Sequence, residues 1–196
     1  EADNVKILRA AYMAKEDGIC EPILLGSEQK IYALLKEHKI NLTDCVILDP
    51  NFESEKRRKY GRLLYEKRKR KGVNFNEAYK VMLGRNYFGA AMVESGDADG
   101  LISGLTRDYP STVIPAMELI GKNENSDRVA GMYIIQTRLG PLFFADTTLN
   151  IDPTTEELVD IAVSTSRVVK LFGYEPRIAM ISYSNFGAAK GEEPKK

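Results

Sequence analysis

The stretch that decides the fold is EPILLGSEQKIYALLKEHKINLTDCVILDP, from Glu21 to Pro50. Its two apolar runs, Pro22–Leu25 and Cys45–Leu48, are short and continuous, which is typical of parallel strands that are buried on both faces. Between them, Ser27 is a residue type that caps helices, and apolar residues then recur at helical spacing. This strand–helix–strand order predicts an α/β fold with a parallel-rich sheet and helices on both of its faces.

The domain organisation is indicated by a polar segment, 122–127, that interrupts the apolar periods on either side. We therefore predict a first α/β lobe over residues 1–125 and the start of a second α/β lobe, incomplete in this chain, over residues 126–196. Further strands are predicted from apolar runs at Gly100–Ser103, Val129–Thr137, Leu142–Thr148 and Ile178–Ser182.

The composition excludes several classes of partner. Lys plus Arg and Asp plus Glu number 28 each, so the chain has no general attraction to nucleic acid or to an anionic membrane. No apolar run is long enough to cross a bilayer and no signal peptide is visible, so a cytoplasmic location is expected. The two cysteines, Cys20 and Cys45, are far apart and predict neither a zinc site nor a disulfide framework. We expect no metal in this chain.

A candidate anion-binding loop follows the predicted strand Gly100–Ser103 and precedes a predicted helix, Pro110–Ile120. In open α/β sheets ligands bind at the carboxyl ends of strands, because loop amides and helix N-termini there offer unpaired N–H donors. The residues that could surround an anion here are Ser103, Gly104, Thr106, Ser111 and Thr112. The alternative is a serine-rich loop that only caps its own helix, and the residues leave both interpretations open.

A dense basic run, Glu66–Gly72, closes the third predicted helix. Cations at a helix C-terminus complement the helix dipole, and no aromatic residues are interleaved to stack bases, so nucleic-acid binding is not favoured. A solvated helix end and recognition of a phosphorylated small molecule remain as alternatives. The single histidine, His38, lies on the polar side of a helix and predicts no catalytic triad.

Four blocks in the same order resemble the phosphate acetyltransferase family. They read RKRKGV from Arg68, YFGAAMVESGDADGLISG from Tyr87, FADTTLNIDPTTEELVDIA from Phe144 and FGYEPRIAMISYSNFG from Phe172. The resemblance implies two α/β lobes of the isocitrate/isopropylmalate-dehydrogenase-like type, with a cleft in which acetyl-CoA and phosphate meet. It also makes Arg68 the counterpart of an anion-binding arginine.

The resemblance is strongest to a non-catalytic branch, the C-terminal domain of multidomain bacterial NADP-dependent malic enzymes. The transferases carry an arginine for phosphate in the helix after the Ser-Gly loop, and this chain has Ile114 at that position. An aliphatic side chain cannot replace the bidentate contact of arginine with phosphate. Arg107, seven positions earlier, is the residue that could compensate. The Ser184–Gly187 loop is also similar to the malic-enzyme branch.

The function implied by this resemblance is a regulatory domain that binds acetyl-CoA, in a protein whose catalytic part would use NADP and Mg²⁺ or Mn²⁺ to convert malate to pyruvate. No cofactor is expected in this chain beyond acetyl-CoA as ligand, and a homo-oligomer is expected. The predicted acetyl-CoA or anion-binding residues are Arg68, Ser103, Gly104, Thr106, Arg107, Thr112, Ser184 and Asn185. The alternatives are an active phosphate acetyltransferase that uses Arg107 and a structural oligomerisation module built on the apolar segment Phe88–Val93.

Overall fold

Two parallel strands form the centre of the first part of the chain. The computed structural model describes residues 1–42, 44–122, 128–182 and 184. In it, strand β1 (Ile23–Leu25) pairs in parallel with strand β2 (Val46–Leu48), so that Leu25 lies opposite Leu48. Helix α2 (Glu28–Glu37) connects the two strands. The strand–helix–strand unit predicted from the sequence is therefore confirmed.

The chain divides into two compact units, Glu1–Gly121 (unit 1) and Lys122–Lys196 (unit 2). A 3₁₀ turn, Lys69–Lys71, follows the third helix of unit 1. The remaining elements of unit 1 are α1 (Val5–Glu16), α3 (Ser54–Arg68), α4 (Phe75–Val81), α5 (Arg85–Glu94) and α6 (Tyr109–Leu119). Those of unit 2 are β3 (Met132–Thr137), β4 (Gly140–Ala145) and α7 (Thr155–Leu171).

Helices cover both faces of the parallel strand pair in unit 1. Side chains alternate between the two faces along a strand, so neighbouring residues of β1 belong to different cores. Leu24 is buried in one core with Leu8 of α1 and Ile31 of α2. Leu25 is buried in a second core with residues of α3, α4, α5 and α6. The predicted arrangement, with helices on both faces of the sheet, is confirmed.

The second core explains two local features of the sequence. Helix α5 is apolar because its middle is buried: Phe88 is fully buried and packs edge-on against Tyr60 of α3, with ring centroids 5.0 Å apart. Helix α3 carries a glycine, Gly61, where it meets α4. A β-carbon at Gly61 would lie 3.0 Å from the Cα of Tyr79, so only glycine permits this approach without a shift of backbone.

Unit 2 begins with an antiparallel hairpin, as its sequence predicts. Met132 of β3 lies opposite Ala145 of β4, and Thr137 lies opposite Gly140 across a two-residue turn. The ring of Phe143 on β4 contacts Phe172, at the end of α7, with centroids 5.8 Å apart. This contact packs the C-terminal end of α7 against the hairpin.

Two predicted strands are wrong. Neither Gly100–Ser103 nor Ile178–Ser182 forms a hydrogen-bonded strand in the structure. Ile102 is 95% exposed and Ile181 is 84% exposed, so the expectation that Ile178–Ser182 is a buried strand is also wrong. The physical reason is that a strand requires a partner strand, and an apolar run does not reveal whether one lies beside it. The predicted anion-binding loop therefore follows an irregular segment.

Candidate anion-binding site

Helix α6 begins directly after the loop that follows α5, and two hydroxyls of its first residues bond back to the residue before the helix. Asp108 is the N-cap residue of α6. The hydroxyl of Ser111 donates to the carboxylate of Asp108 at 2.5 Å, and the hydroxyl of Thr112 donates to the Asp108 carbonyl at 3.3 Å. The hydrogen bond from Ser111 lowers the pKa of Asp108. Ser111 and Thr112 thus make local contacts at the start of α6, and the Asp108 side chain makes no hydrogen bond that caps the helix.

The amides of the loop converge on a carboxylate of the chain itself, that of Glu1. One oxygen of Glu1 accepts from the backbone N–H groups of Gly104 (3.1 Å) and Leu105 (2.9 Å). The other oxygen accepts from the backbone N–H and the hydroxyl of Thr106, at 2.9 and 2.8 Å. Three successive amides and a hydroxyl that point at one carboxylate form an anion-binding loop.

The electrostatics of this contact agree with its geometry. Partial burial raises the pKa of the Glu1 carboxyl, but the hydrogen bonds from Thr106, Leu105 and Gly104 outweigh that effect and lower the pKa to about 2. The carboxylate is therefore ionised at neutral pH. The sequence analysis did not identify Glu1, because about a hundred residues separate it from the loop.

The remaining polar side chains near this loop connect it to α5. The hydroxyl of Ser103 donates to the side-chain oxygen of Asn86 at 2.8 Å, and the amide nitrogen of Asn86 donates to the carbonyl of Ser111 at 2.8 Å. Ser103 keeps lone pairs that can accept a further hydrogen bond. The loop is therefore held from two sides, by Glu1 and by Asn86.

Two other side chains, Arg107 on the loop and Ile114 on α6, are exposed to solvent. Arg107 is exposed and has no hydrogen bond or ion pair among residues 1–42, 44–122, 128–182 and 184. Ile114, on α6, is 47% exposed. A guanidinium without a carboxylate partner is available to an external anion, whereas Ile114 offers that anion only hydrocarbon.

Arg68 lies at the opposite end of α6 from the loop. Its guanidinium donates to Glu118 at 2.9 Å, and the hydroxyl of Tyr87 donates to the other oxygen of the same carboxylate at 2.7 Å. Burial and this hydrogen bond to Glu118 raise the pKa of Tyr87 to about 12. Glu118 is ten residues after Asp108, which corresponds to about 15 Å along a helix. The structure thus does not place Arg68 with the loop, and its role in ligand binding stays a prediction.

Of the two predicted site residues near the end of the chain, Ser184 and Asn185, the structure describes only Ser184. The backbone N–H of Ser184 donates to the hydroxyl of Ser182 at 3.1 Å, so the two serines form a local turn contact. Asn185 lies outside the described residues. A ligand contact by Ser184 or Asn185 stays a prediction.

A second carboxylate that accepts several backbone hydrogen bonds, that of Asp146, organises the turn that follows β4. Its oxygens accept from the backbone N–H groups of Gly131 (2.8 Å), Thr148 (3.0 Å), Leu149 (3.2 Å) and Asn150 (2.6 Å), and from the Asn150 side chain. Partial burial raises the pKa of Asp146, but these hydrogen bonds outweigh it and lower the pKa to about 2. Unlike Glu1, Asp146 has a signal in the sequence, since an Asp that follows a strand often accepts from backbone N–H groups two residues on.

Two other kinds of site are absent from the part of the chain that the structure describes. There, no three His, Cys, Asp or Glu side chains are grouped so that they could hold a metal ion. Within the same ranges, no helix has the length and hydropathy needed to cross a bilayer.

The fold and the site define an α/β protein with an anion-binding loop at the N-terminus of a helix. The family model described as phosphate acetyl/butaryl transferase matches residues 1–196, and the chain belongs to this family. It is 35% identical to a phosphate acetyltransferase of Bacillus subtilis (strain 168) over 196 residues, which is 100% of this chain and 60% of that protein. It is 34% identical to an NADP-dependent malic enzyme of Rhizobium meliloti (strain 1021) over 198 residues, 100% of this chain and 26% of that protein.

The structural comparison agrees with the sequence comparison. The crystal structure of a phosphotransacetylase from Streptococcus pyogenes superposes with a TM-score of 0.86 at 34% identity, covering 97% of this chain and 58% of the other. The predicted family and the predicted fold class are confirmed. The chain spans 60% or less of the length of each of these relatives.

Proposed function

We propose that this chain is the phosphate-acetyltransferase-like regulatory domain of an NADP-dependent malic enzyme and binds acetyl-CoA as an effector. Membership of the phosphate acetyltransferase family supports the ligand class. The similarity to a malic enzyme over the whole chain supports the parent protein. In that parent, NADP, a divalent metal and the conversion of malate to pyruvate belong to a catalytic part of the same polypeptide.

The observation that carries the non-catalytic assignment is Ile114. It is exposed on α6, two residues after Thr112, at the position where the resemblance implies a phosphate-binding arginine. Replacing a charge-assisted donor by hydrocarbon removes a contact that is worth on the order of 3 kcal/mol in a transition state, or about a hundredfold in rate. The donors of the loop do not compensate for this loss, because Glu1 already occupies the amides of Gly104, Leu105 and Thr106.

Regulation by acetyl-CoA requires that the ligand binds two states of the protein with different affinity. The groups that would contact its polar parts are the free guanidinium of Arg107 and the hydroxyl of Ser103, both on the loop before α6. We expect calorimetry on the full-length protein to show saturable acetyl-CoA binding that Arg107→Ala weakens. Absence of acetyl-CoA binding by the full-length protein would refute the proposal.

A second candidate function is that of an active phosphate acetyltransferase in which Arg107 is the phosphate ligand. The observation that favours it is that Arg107 is exposed and unpaired within the described ranges, on the same loop as Thr106. The names of relatives such as the Bacillus subtilis protein point the same way. Formation of acetyl phosphate from acetyl-CoA and phosphate, abolished by Arg107→Ala, would establish this function instead.

The hypothesis of a structural oligomerisation module receives no support from α5. Within the segment that suggested it, Phe88–Val93, the residues from Phe88 to Met92 are buried inside the core of unit 1 rather than presented to a partner. A homo-oligomer remains part of the proposal, and sedimentation of the full-length protein tests it.

A further inference from the structure

Most cations of helix α3 are engaged within the chain. Lys56 pairs with Glu53, Lys59 pairs with Asp97 at 2.7 Å, Lys67 pairs with Glu94, Arg68 pairs with Glu118 at 2.9 Å, and the guanidinium of Arg57 lies 4.8 Å from the ring centroid of Tyr79. Arg58 and Arg62 differ from these. Both are exposed, and neither has an ion pair or a hydrogen bond in the part of the chain that the structure describes.

The two unpaired arginines line the same surface groove, which has a volume of about 600 Å³. We call it the Arg58–Arg62 groove. Its lining residues are Ser54, Glu55, Arg58, Lys59, Arg62 and Tyr79. Three cations therefore face one carboxylate, and one of the three, Lys59, is already paired with Asp97. With that pair set aside, the two arginines outnumber the one carboxylate, Glu55, so the lining keeps a net positive charge.

The spacing of these arginines defines the ligand that fits them. Residues four apart on a helix lie on the same face, with β-carbons about 6 Å apart. Each guanidinium presents a planar fork of donors that matches the oxygens of one phosphate group. Two adjacent forks can each bind one of two linked phosphates. Tyr79 also lines the groove, and its ring packs against the guanidinium of Arg57 and the ring of Phe75.

We propose that the Arg58–Arg62 groove binds a small molecule that carries a pyrophosphate group. The site is separate from the loop that holds Glu1 and from Arg107, so it adds to the proposed function and does not depend on it. A long polyanion is disfavoured, because the formal net charge of the whole chain is zero. Such a ligand would also have to engage the exposed cations Arg70 and Lys71, which lie beyond the end of α3.

The test is calorimetric titration of the protein with inorganic pyrophosphate at low ionic strength. The double variant Arg58→Ala/Arg62→Ala should bind about tenfold more weakly or worse, because both forks are lost. The control Arg70→Ala/Lys71→Ala removes the same charge from the turn that follows α3 and should bind as the unchanged protein does. Loss of pyrophosphate binding in Arg107→Ala instead would place the ligand at the loop before α6 and would overturn the proposal.

Two further experiments test which kind of compound carries the pyrophosphate group and whether the arginines bind it through the paired donors of their guanidinium groups. Binding of ADP in the same groove supports the proposal, whether its affinity equals or exceeds that of pyrophosphate. If ADP binds more tightly and Tyr79→Leu abolishes this gain in affinity, the ligand is a nucleotide. Arg58→Lys/Arg62→Lys keeps the charge but loses the forks, so weakened binding supports bidentate recognition. The proposal is overturned if pyrophosphate does not bind, if Arg58→Ala/Arg62→Ala binds it normally, or if the control double variant loses as much affinity. Circular dichroism of each variant confirms that the fold is intact.

Discussion

The carboxylate of Asp146 gives the sharpest quantitative prediction for the fold of unit 2. Its pKa falls from 3.8 to about 2 on folding, and each pKa unit corresponds to about 1.4 kcal/mol. The full shift would be about 2.5 kcal/mol, and partial exposure to solvent reduces this to about 1–2 kcal/mol. The variant Asp146→Asn keeps the shape of the side chain but removes its charge. It also turns an amide NH₂, which cannot accept a hydrogen bond, toward backbone N–H donors. We expect it to destabilise the turn after β4 by that amount.

The pH dependence of this contribution has a definite sign. The folded pKa of Asp146 is lower than the unfolded one, so the unfolded state binds more protons between the two values. The stabilisation is complete above the unfolded pKa of 3.8 and is lost as pH falls toward about 2. The Asp146→Asn variant has no such group, so its turn should lose less stability over the same pH range.

Hydrogen exchange of the turn amides is the assay, because it reports the stability of unit 2 locally. The amide protons of Gly131 and Thr148, which donate to Asp146, should exchange about tenfold faster in Asp146→Asn, as expected for a loss of about 1.4 kcal/mol. Asp160→Asn is the control, since no hydrogen bond to the Asp160 carboxylate is present among the described residues of unit 2. Unchanged exchange in Asp146→Asn, or an equal change in the control, would refute the reasoning.

Two further predictions concern unit 1. Gly61→Ala should destabilise it by about 1 kcal/mol in urea unfolding, despite the better helix propensity of Ala, because the new β-carbon would lie 3.0 Å from the Cα of Tyr79. Gly100→Ala, which meets nothing within 4 Å, is the control, and equal stability of the two variants would contradict this packing argument. Glu1→Gln should speed exchange of the three loop amides by about tenfold, because a charge-assisted contact is lost. Unchanged protection would show that Glu1 does not hold the loop.

The strand–helix–strand unit could be predicted from sequence because each of its boundaries has a local signal. Short apolar runs define β1 and β2, and Ser27 precedes the helix between them. The predicted strands at Gly100–Ser103 and Ile178–Ser182 failed because their composition resembles that of β1 and β2, whereas strand formation depends on a neighbouring strand that the local sequence does not specify.

The candidate site was only partly predictable for the same reason. A polar loop before a helix identifies Ser103, Gly104 and Thr106 as potential anion-binding residues, because the relevant donors are close together in sequence. The anion that meets these donors, Glu1, is about a hundred residues away. Likewise, the basic run identifies Arg68 as a cation, but only the packing of α3 against α6 shows that it pairs with Glu118. Long-range pairing of charges is set by tertiary structure.

The proposed function requires that this chain binds acetyl-CoA and that Ile114 stands where the resemblance to the transferases implies a phosphate-binding arginine. The most direct measurement is acetyl phosphate formation by the full-length protein, supplied with acetyl-CoA and inorganic phosphate under conditions where calorimetry shows acetyl-CoA to be bound. The account predicts bound acetyl-CoA and no acetyl phosphate above the uncatalysed rate. Sustained acetyl phosphate production, lost in Arg107→Ala, would contradict it.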